Sequence, residues 1–191
     1  ENGRLSKKWN LKDGKKDGSY EEYNQNGQIW KSYNYKEGKQ DGPQVEYGWE
    51  GQVVFKGNYK DGKPDGLHQS YHSDGQLSSS GNYKDGNPEG LHQIYHSNGQ
   101  QLSLFNYKDG KIVDGLYETF YSNGQLKTKE NYKNGNKEGM LEVYESDGTI
   151  ESREHYKDGL LDGLKELYSY GELDERTNYK NGKKHGLHED F

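Results

Sequence analysis

Three series of glycines run through the 191-residue chain in step, and they constrain the fold more than any other feature. The first closes a Lys-acid-Gly turn at Gly14, Gly38, Gly62, Gly86, Gly110, Gly135, Gly159 and Gly182, at intervals of 24, 24, 24, 24, 25, 24 and 23. A second follows four residues later, five in one unit, at Gly18, Gly42, Gly66, Gly90, Gly115, Gly139, Gly163 and Gly186. A third ends each unit at Gly3, Gly27, Gly51, Gly75, Gly99, Gly124, Gly148 and Gly171. Self-similarity at a fixed period of this length marks a repeat architecture. Glycine recurs too often for a helix to propagate, and no segment spaces its apolar residues by 3.6.

Each unit of about 24 residues reads as two short strands bounded by Asp-Gly, Asn-Gly or Glu-Gly pairs, the strongest short-range hairpin signal. A two-residue turn over Asn26-Gly27 would put Tyr23 and Ile29 on opposite faces. A three-residue loop with a left-handed glycine sets them opposite one another, and the same loop is expected at the Lys-acid-Gly turns. That register gathers the repeating apolar positions on one face, with Tyr59, Tyr71, Tyr83, Tyr95, Tyr107, Phe120, Tyr132 and Tyr144 among them, expected to be concave. The fold expected is all-β: an elongated single-layer antiparallel β-meander of about eight two-stranded repeats, twisted and curled as wide open sheets are. One continuous array covers 1–191. Because it begins and stops inside a unit, it is expected to be excerpted from a longer chain.

Composition fits a thin sheet better than a globule. Only 27% of residues are hydrophobic, and there are 18 tyrosines, whose rings bury area while their hydroxyls stay wet. The net charge of −6 argues against nucleic acid as a partner, because phosphate binding needs a positive face. No apolar run is long enough to span a bilayer as a helix. With no cysteine there are no disulfides and no thiolate metal sites.

The unit Asn58-Tyr59-Lys60-Asp61-Gly62-Lys63-Pro64-Asp65-Gly66-Leu67, followed by Tyr71 and Asp74-Gly75-Gln76-Leu77, resembles the MORN repeat in its variant bacterial form. That form is common in proteins described as toxin–antitoxin system antitoxins. The resemblance covers essentially the whole chain. It implies an antiparallel β-meander scaffold that binds protein or sometimes associates with lipid, without catalytic residues of its own. Departures are local: Leu11 replaces the turn tyrosine, Gln101 an apolar residue, Ile112-Val113 add one position, and Tyr170-Gly171 lacks one.

Signatures of chemistry are sparse. His68 and His72 share a strand face, and His92 and His96 repeat the arrangement. Four residues along a strand span about 13 Å and equivalent strands lie about 9.5 Å apart. Zinc needs its ligands at about 2 Å, so these histidines are expected to be exposed and non-ligating. The Asp13-Gly14-Lys15-Lys16-Asp17-Gly18 segment puts lysine where a calcium loop needs an oxygen ligand. No hydrolase, metalloprotease or nucleotide-binding motif is present, and no cofactor is implied. Glu21, Glu118, Glu142, Glu166 and Glu189 form a row expected to hydrogen-bond tyrosine hydroxyls rather than to act as acids and bases. The turn lysines, such as Lys36 and Lys60, stand beside acids, so their charges largely cancel.

The second face varies from unit to unit and is the expected seat of specificity. Its candidate partner-binding residues are His68, His72, His92, Ile94, His96, Leu102, Leu104, Tyr117 and Tyr121, an unusually apolar stretch for a wet surface. The aromatic face is the alternative. The function expected is a non-enzymatic scaffold for a protein partner, antitoxin-like or immunity-like; the alternative is a peripheral element on anionic lipid. Exposed terminal strands could also pair end to end.

Overall fold

A computed structural model describes residues 3–191. Every regular element among them is a strand, and every strand pairing is antiparallel. The chain divides into two compact units, one ending at Gly99 and one running from Gln100 to Phe191. The first holds β1 (Lys7–Lys12), β2 (Lys15–Tyr23), β3 (Ile29–Lys36), β4 (Lys39–Gln40), β5 (Gly42–Tyr47), β6 (Val53–Lys60), β7 (Lys63–Pro64), β8 (Gly66–Tyr71), β9 (Leu77–Lys84) and β10 (Asn87–Tyr95). The second holds β11 (Gln101–Lys108), β12 (Lys111–Ile112), β13 (Gly115–Phe120), β14 (Leu126–Lys133), β15 (Asn136–Lys137), β16 (Gly139–Tyr144), β17 (Ile150–Lys157), β18 (Leu160–Ser169), β19 (Glu172–Lys180) and β20 (Lys183–Asp190). Within each unit the chain meanders, each strand pairing with what precedes and follows it. The expected all-β repeat meander is what forms.

Each glycine series has its own backbone task. At the Lys-acid-Gly turns two successive residues take positive φ, as in Asp61 at 50° and Gly62 at 82°, and Lys60 pairs directly with Lys63. These are two-residue type I′ turns, not the three-residue loops expected. Aspartate tolerates the left-handed region and glycine enters it without a Cβ penalty. The third-series turns do use three-residue loops. Gly75 donates to the His72 carbonyl (2.9 Å), His72 donates to the Gln76 carbonyl (2.8 Å), and Gly75 is left-handed at 85°. Tyr71 then pairs with Leu77, and Tyr23 with Ile29, as expected.

Two kinds of bulge complete the unit. Around the second glycine, the pairing passes from Leu11↔Lys16 to Trp9↔Tyr20, so three residues oppose Asn10 alone. Two extra residues leave the faces unchanged. After the third-series loop, Tyr23↔Ile29 is followed by Glu22↔Lys31, leaving Trp30 as a single extra residue. Val54, Ser78, Lys127, Glu151 and Asp174 are the equivalents. One extra residue moves everything beyond it to the other face, and the sequence carries no sign of this. Near Tyr170 the loop alone shortens: Ser169 pairs with Glu172 and Tyr168 still meets Leu173.

The single aromatic face expected from the sequence is therefore two faces. One carries the tyrosines that precede the Lys-acid-Gly turns, Tyr35, Tyr59 and Tyr83 in the first unit and Tyr107, Tyr132, Tyr156 and Tyr179 in the second. The other carries Tyr23, Tyr47, Tyr71 and Tyr95 in the first unit and Phe120, Tyr144 and Tyr168 in the second. We call them the turn-tyrosine face and the ladder face, each within its own unit. Every buried side chain described lies on the turn-tyrosine face: Tyr20, Gln44, Ser103, Tyr117, Glu130, Leu141, Ser152 and Thr177. Burial there comes from neighbouring strands of the same layer.

Candidate functional site

On the turn-tyrosine face of the first unit, rings pack along the sheet. Tyr20 lies 6.0 Å from Trp9, 5.7 Å from Tyr33 and 5.6 Å from Tyr35, centroid to centroid. The series continues through Tyr59–His68 (5.2 Å), His68–Tyr83 (4.9 Å) and Tyr83–His92 (5.1 Å). The two histidines are half-buried, so their expected exposure is corrected. Each occupies space vacated by a glycine: a Cβ on Gly57 would stand 2.9 Å from the His68 ring, and one on Gly81 would stand 2.2 Å from His92 Nδ1. Their Nε2 atoms donate to the carbonyls of Asn58 (2.8 Å) and Asn82 (2.7 Å), because a carbonyl can only accept. They are packing elements of the sheet. Among the described residues no group of three or more histidines and carboxylates is arranged to hold a metal ion.

In the second unit the same face places Phe105 against Tyr117 (5.3 Å) and Tyr117 against Tyr132 (5.6 Å). The Tyr117 hydroxyl donates to the Val113 carbonyl at 2.7 Å, where the inserted residue widens the bulge. Lys137–Glu130 (2.6 Å) and Lys165–Glu154 (2.7 Å) are ion pairs with partly screened carboxylates. Burial pushes the Tyr132 hydroxyl up to about 12, with Glu130 beside it adding to the effect.

The ladder face has a different chemistry. In the second unit Glu118, Lys129, Glu142, Arg153, Glu166, Arg176 and Glu189 stand opposite one another on successive strands, acid and base alternating. Arg176 gives both Nε (2.8 Å) and Nη2 (2.6 Å) to Glu189, and Arg153 lies 3.5 Å from Glu142. The Tyr168 hydroxyl donates to Glu166 at 3.0 Å, and in the first unit Tyr23 donates to Glu21 at 2.5 Å and Tyr71 to Gln69 at 3.1 Å. Glu21 and Glu166 thus accept from tyrosine hydroxyls as expected, whereas Glu189 is held by Arg176, and Glu118 has Phe120 where the others have a tyrosine. The interleaved cations Lys129, Arg153 and Arg176 are not among the candidates the sequence offers, because their place opposite the acids depends on strand register.

The candidate patch is redistributed. In the first unit His68, His92 and Ile94 share the turn-tyrosine face, since Gly81 pairs with both histidines and Ser79 with Ile94. His72 Nε2 donates to the Tyr95 carbonyl at 3.1 Å, and His96 is half-buried after Tyr95. In the second unit Tyr117 is on the turn-tyrosine face, and Leu102 stands at the place in the repeat that Lys127 has in the next hairpin. Leu104 points to the ladder face, because its neighbour Ser103 pairs with Thr119. Tyr121 donates to the Tyr144 carbonyl at 2.7 Å. Of the alternative aromatic set, Tyr59, Tyr83, Tyr107 and Tyr132 lie on the turn-tyrosine face and Tyr71, Tyr95, Phe120 and Tyr144 on the ladder face.

Two recurrent residue types escaped the sequence reading. The acid before every second-series glycine but Gly186 is a recurrent residue, and acids of this series accept from the next turn: Asp17 from Glu37 N (3.1 Å), Asp114 from Asn134 N (2.6 Å), Glu138 from Asp158 N (3.0 Å) and Asp162 from Asn181 N (3.2 Å). The asparagine before the turn tyrosine holds the bulge, as Asn34 and Asn58 donate to the carbonyls of Asp41 (2.6 Å) and Asp65 (2.9 Å). Their recurrence at the repeat period was the available signal.

A model of the MORN repeat variant matches residues 16–37, 64–85, 113–134 and 137–158. This chain carries MORN repeats. Each match runs from the second half of a type I′ turn or its bulge, through one hairpin, to the next turn. The MORN match thus delimits the unit that the backbone itself repeats, and it says nothing of what the unit binds. The chain matches no curated protein.

Proposed function

We propose that this MORN-repeat protein is a non-catalytic scaffold that captures a protein partner on its ladder face, the kind of stoichiometric capture an antitoxin or immunity protein performs. The observation that carries the reading is the contrast between the faces. The buried side chains all lie on the turn-tyrosine face, where Trp9, Leu11 and Ile94 are exposed at three different positions of the unit. The ladder face leaves Leu67 and Leu91 exposed in the first unit, and Leu116, Met140 and Leu187 in the second. These residues recur at one position of the unit, beside the ladder of opposed charges in the second unit and beside the neutral Gln69, Ser80 and Gln93 in the first, on a backbone fixed by hydrogen bonds. A regular apolar row flanked by ordered polar groups is the anatomy of a protein interface, and its rigidity keeps the ordering cost of binding low. Of the carboxylate row, Glu142 and Glu189 pair with Arg153 and Arg176, and Glu21 and Glu166 accept from tyrosine hydroxyls.

The test is affinity capture from lysate of the native cell, with Leu67→Asp/Leu91→Asp and Leu116→Asp/Met140→Asp alongside wild type. One protein retained at near-equal stoichiometry in high salt, and lost by the variant of the unit that binds it, is the expected result. A partner held equally by all three refutes the assigned face. Sedimentation with anionic vesicles at low salt, with no protein retained, refutes the scaffold reading in favour of a lipid surface.

A further inference from the structure

A recess of about 580 Å³ opens in the first unit, and it is built by residues that break the repeat. Trp30 occupies the single-residue bulge where later hairpins carry Val54, Ser78 or Lys127. Trp49 sits in a third-series loop where the equivalent positions are Gln25 and Ser73. Both indoles line the recess, Trp30 41% and Trp49 78% exposed, and Val54 adds an apolar wall between the strands. Two of the three tryptophans in the chain are therefore spent on one surface feature.

The charged side chains lining it cancel. Lys7 pairs with Glu22 at 3.0 Å and Lys31 with Glu46 at 3.1 Å, two ammonium groups against two carboxylates. Further bonds hold the acids in place: the Tyr20 hydroxyl donates to Glu22 and the Gln44 amide to Glu46, each at 2.8 Å. Burial raises the Glu22 carboxyl, but its bonds from Lys7 and Tyr20 outweigh this and hold it below the usual glutamate range, so it stays ionised. The Lys31 ammonium lies 5.1 Å from the Trp30 ring centre, so a cationic ligand brought to that indole would meet a like charge, which a neutral one would not. An anion would face two carboxylates and a cation two ammonium groups. What such a site accommodates is a neutral molecule with an apolar face and a rim of hydroxyls, able to accept from ammonium and donate to carboxylate.

We propose that this recess binds a neutral saccharide, with a sugar ring laid against the Trp30 and Trp49 indoles and its hydroxyls bonded to the Lys7–Glu22 and Lys31–Glu46 pairs. The C–H bonds on one face of a pyranose complement the negative face of an indole, and the equatorial hydroxyls meet fixed charged partners. The open shape suits one or two rings of an oligosaccharide laid along the surface. The charge pairs belong to the turn-tyrosine face, and none of the exposed leucines assigned to the partner lines the recess.

The three indole Nε1–H signals of the 15N-labelled chain report on the site directly. Titration uses neutral gluco-, galacto- and N-acetylglucosamine oligosaccharides, with sialyllactose, a heparin fragment and tetramethylammonium as charged probes. The expected result is that one neutral series moves the Trp30 and Trp49 signals and leaves Trp9 still. Trp49→Ala and Trp30→Ala should each weaken that binding at least tenfold, while Trp49→Tyr keeps part of it; circular dichroism reports that the variants stay folded. The proposal is overturned if no neutral saccharide moves either signal at millimolar concentration. It is equally overturned if a charged probe binds more tightly than any neutral one, or if Trp49→Ala leaves affinity unchanged.

Discussion

Replacing Gly81 with alanine adds one carbon to β9, and that carbon would stand 2.2 Å from Nδ1, 2.4 Å from Cε1 and 2.5 Å from Cγ of His92. Nothing else in the backbone resists the change, since Gly81 lies outside the left-handed region. An alanine in a strand interior is intrinsically better than glycine by about 0.5–1 kcal/mol. The imidazole, however, must leave its seat. It forfeits the 2.7 Å bond to the Asn82 carbonyl, about 0.5–1.5 kcal/mol. It also loses the ring contact with Tyr83, another 0.5–1.5 kcal/mol or so. The net expectation is a loss of about 1–2 kcal/mol. With His92 already cut to alanine, the same Gly81→Ala change should stabilise by about 0.5–1 kcal/mol, because only the backbone gain is left. Urea unfolding of wild type, both single variants and the double variant gives the coupling, expected near 2 kcal/mol at constant m-value. Additivity within about 0.5 kcal/mol would show that the histidine does not depend on the glycine beneath it, and would refute the account of this face.

Three further outcomes are expected. Ser103 is buried with no hydrogen-bond partner for its hydroxyl among the described residues, so Ser103→Ala should be neutral or stabilise by up to about 1 kcal/mol in urea unfolding. Arg153→Glu would place three carboxylates in a row with Glu142 and Glu166, costing about 1–2 kcal/mol from two like-charge pairs, a loss that 1 M salt should largely remove. Burial raises the tyrosine hydroxyls of Tyr33, Tyr59 and Tyr156, while the Glu154 carboxyl, raised by burial, is brought below its usual range by Lys165 and Tyr156. Tyrosine ionisation followed by ultraviolet absorbance should thus lag behind free tyrosine above pH 10, its stability present below the unfolded value and lost as pH rises through the folded one. Glu154 has the opposite sign: its contribution is present above about pH 4.3 and lost as pH falls through the depressed folded value, so Glu154→Gln should flatten the acid limb of unfolding.

The repeat, the strands and the hairpin loops were legible in the sequence because each is fixed by local chemistry. Gly27 or Gly75 must be left-handed in a three-residue loop, whatever lies beyond it. The Asp61-Gly62 pair carries its type I′ turn in two residues, although extending the other loop type to it gave the wrong length. The recurrent Asn and acid positions were visible as periodicity, but their work is done across a bulge or toward the next turn. Those partners are seen only once the strands are paired.

A meander of β-hairpins with a period of about 24 residues follows from the sequence alone. Only the tertiary structure decided which aromatics share a face. The reason is arithmetic in the backbone: a bulge of two residues preserves the alternation of side chains, and a bulge of one inverts it. Nothing in the residue types at Trp30, Val54 or Ser78 distinguishes a paired position from an unpaired one. That single unpaired residue separates the packed ring column from the charge ladder, sends Leu104 away from Tyr117, and turns Trp30 into the recess beside Trp49.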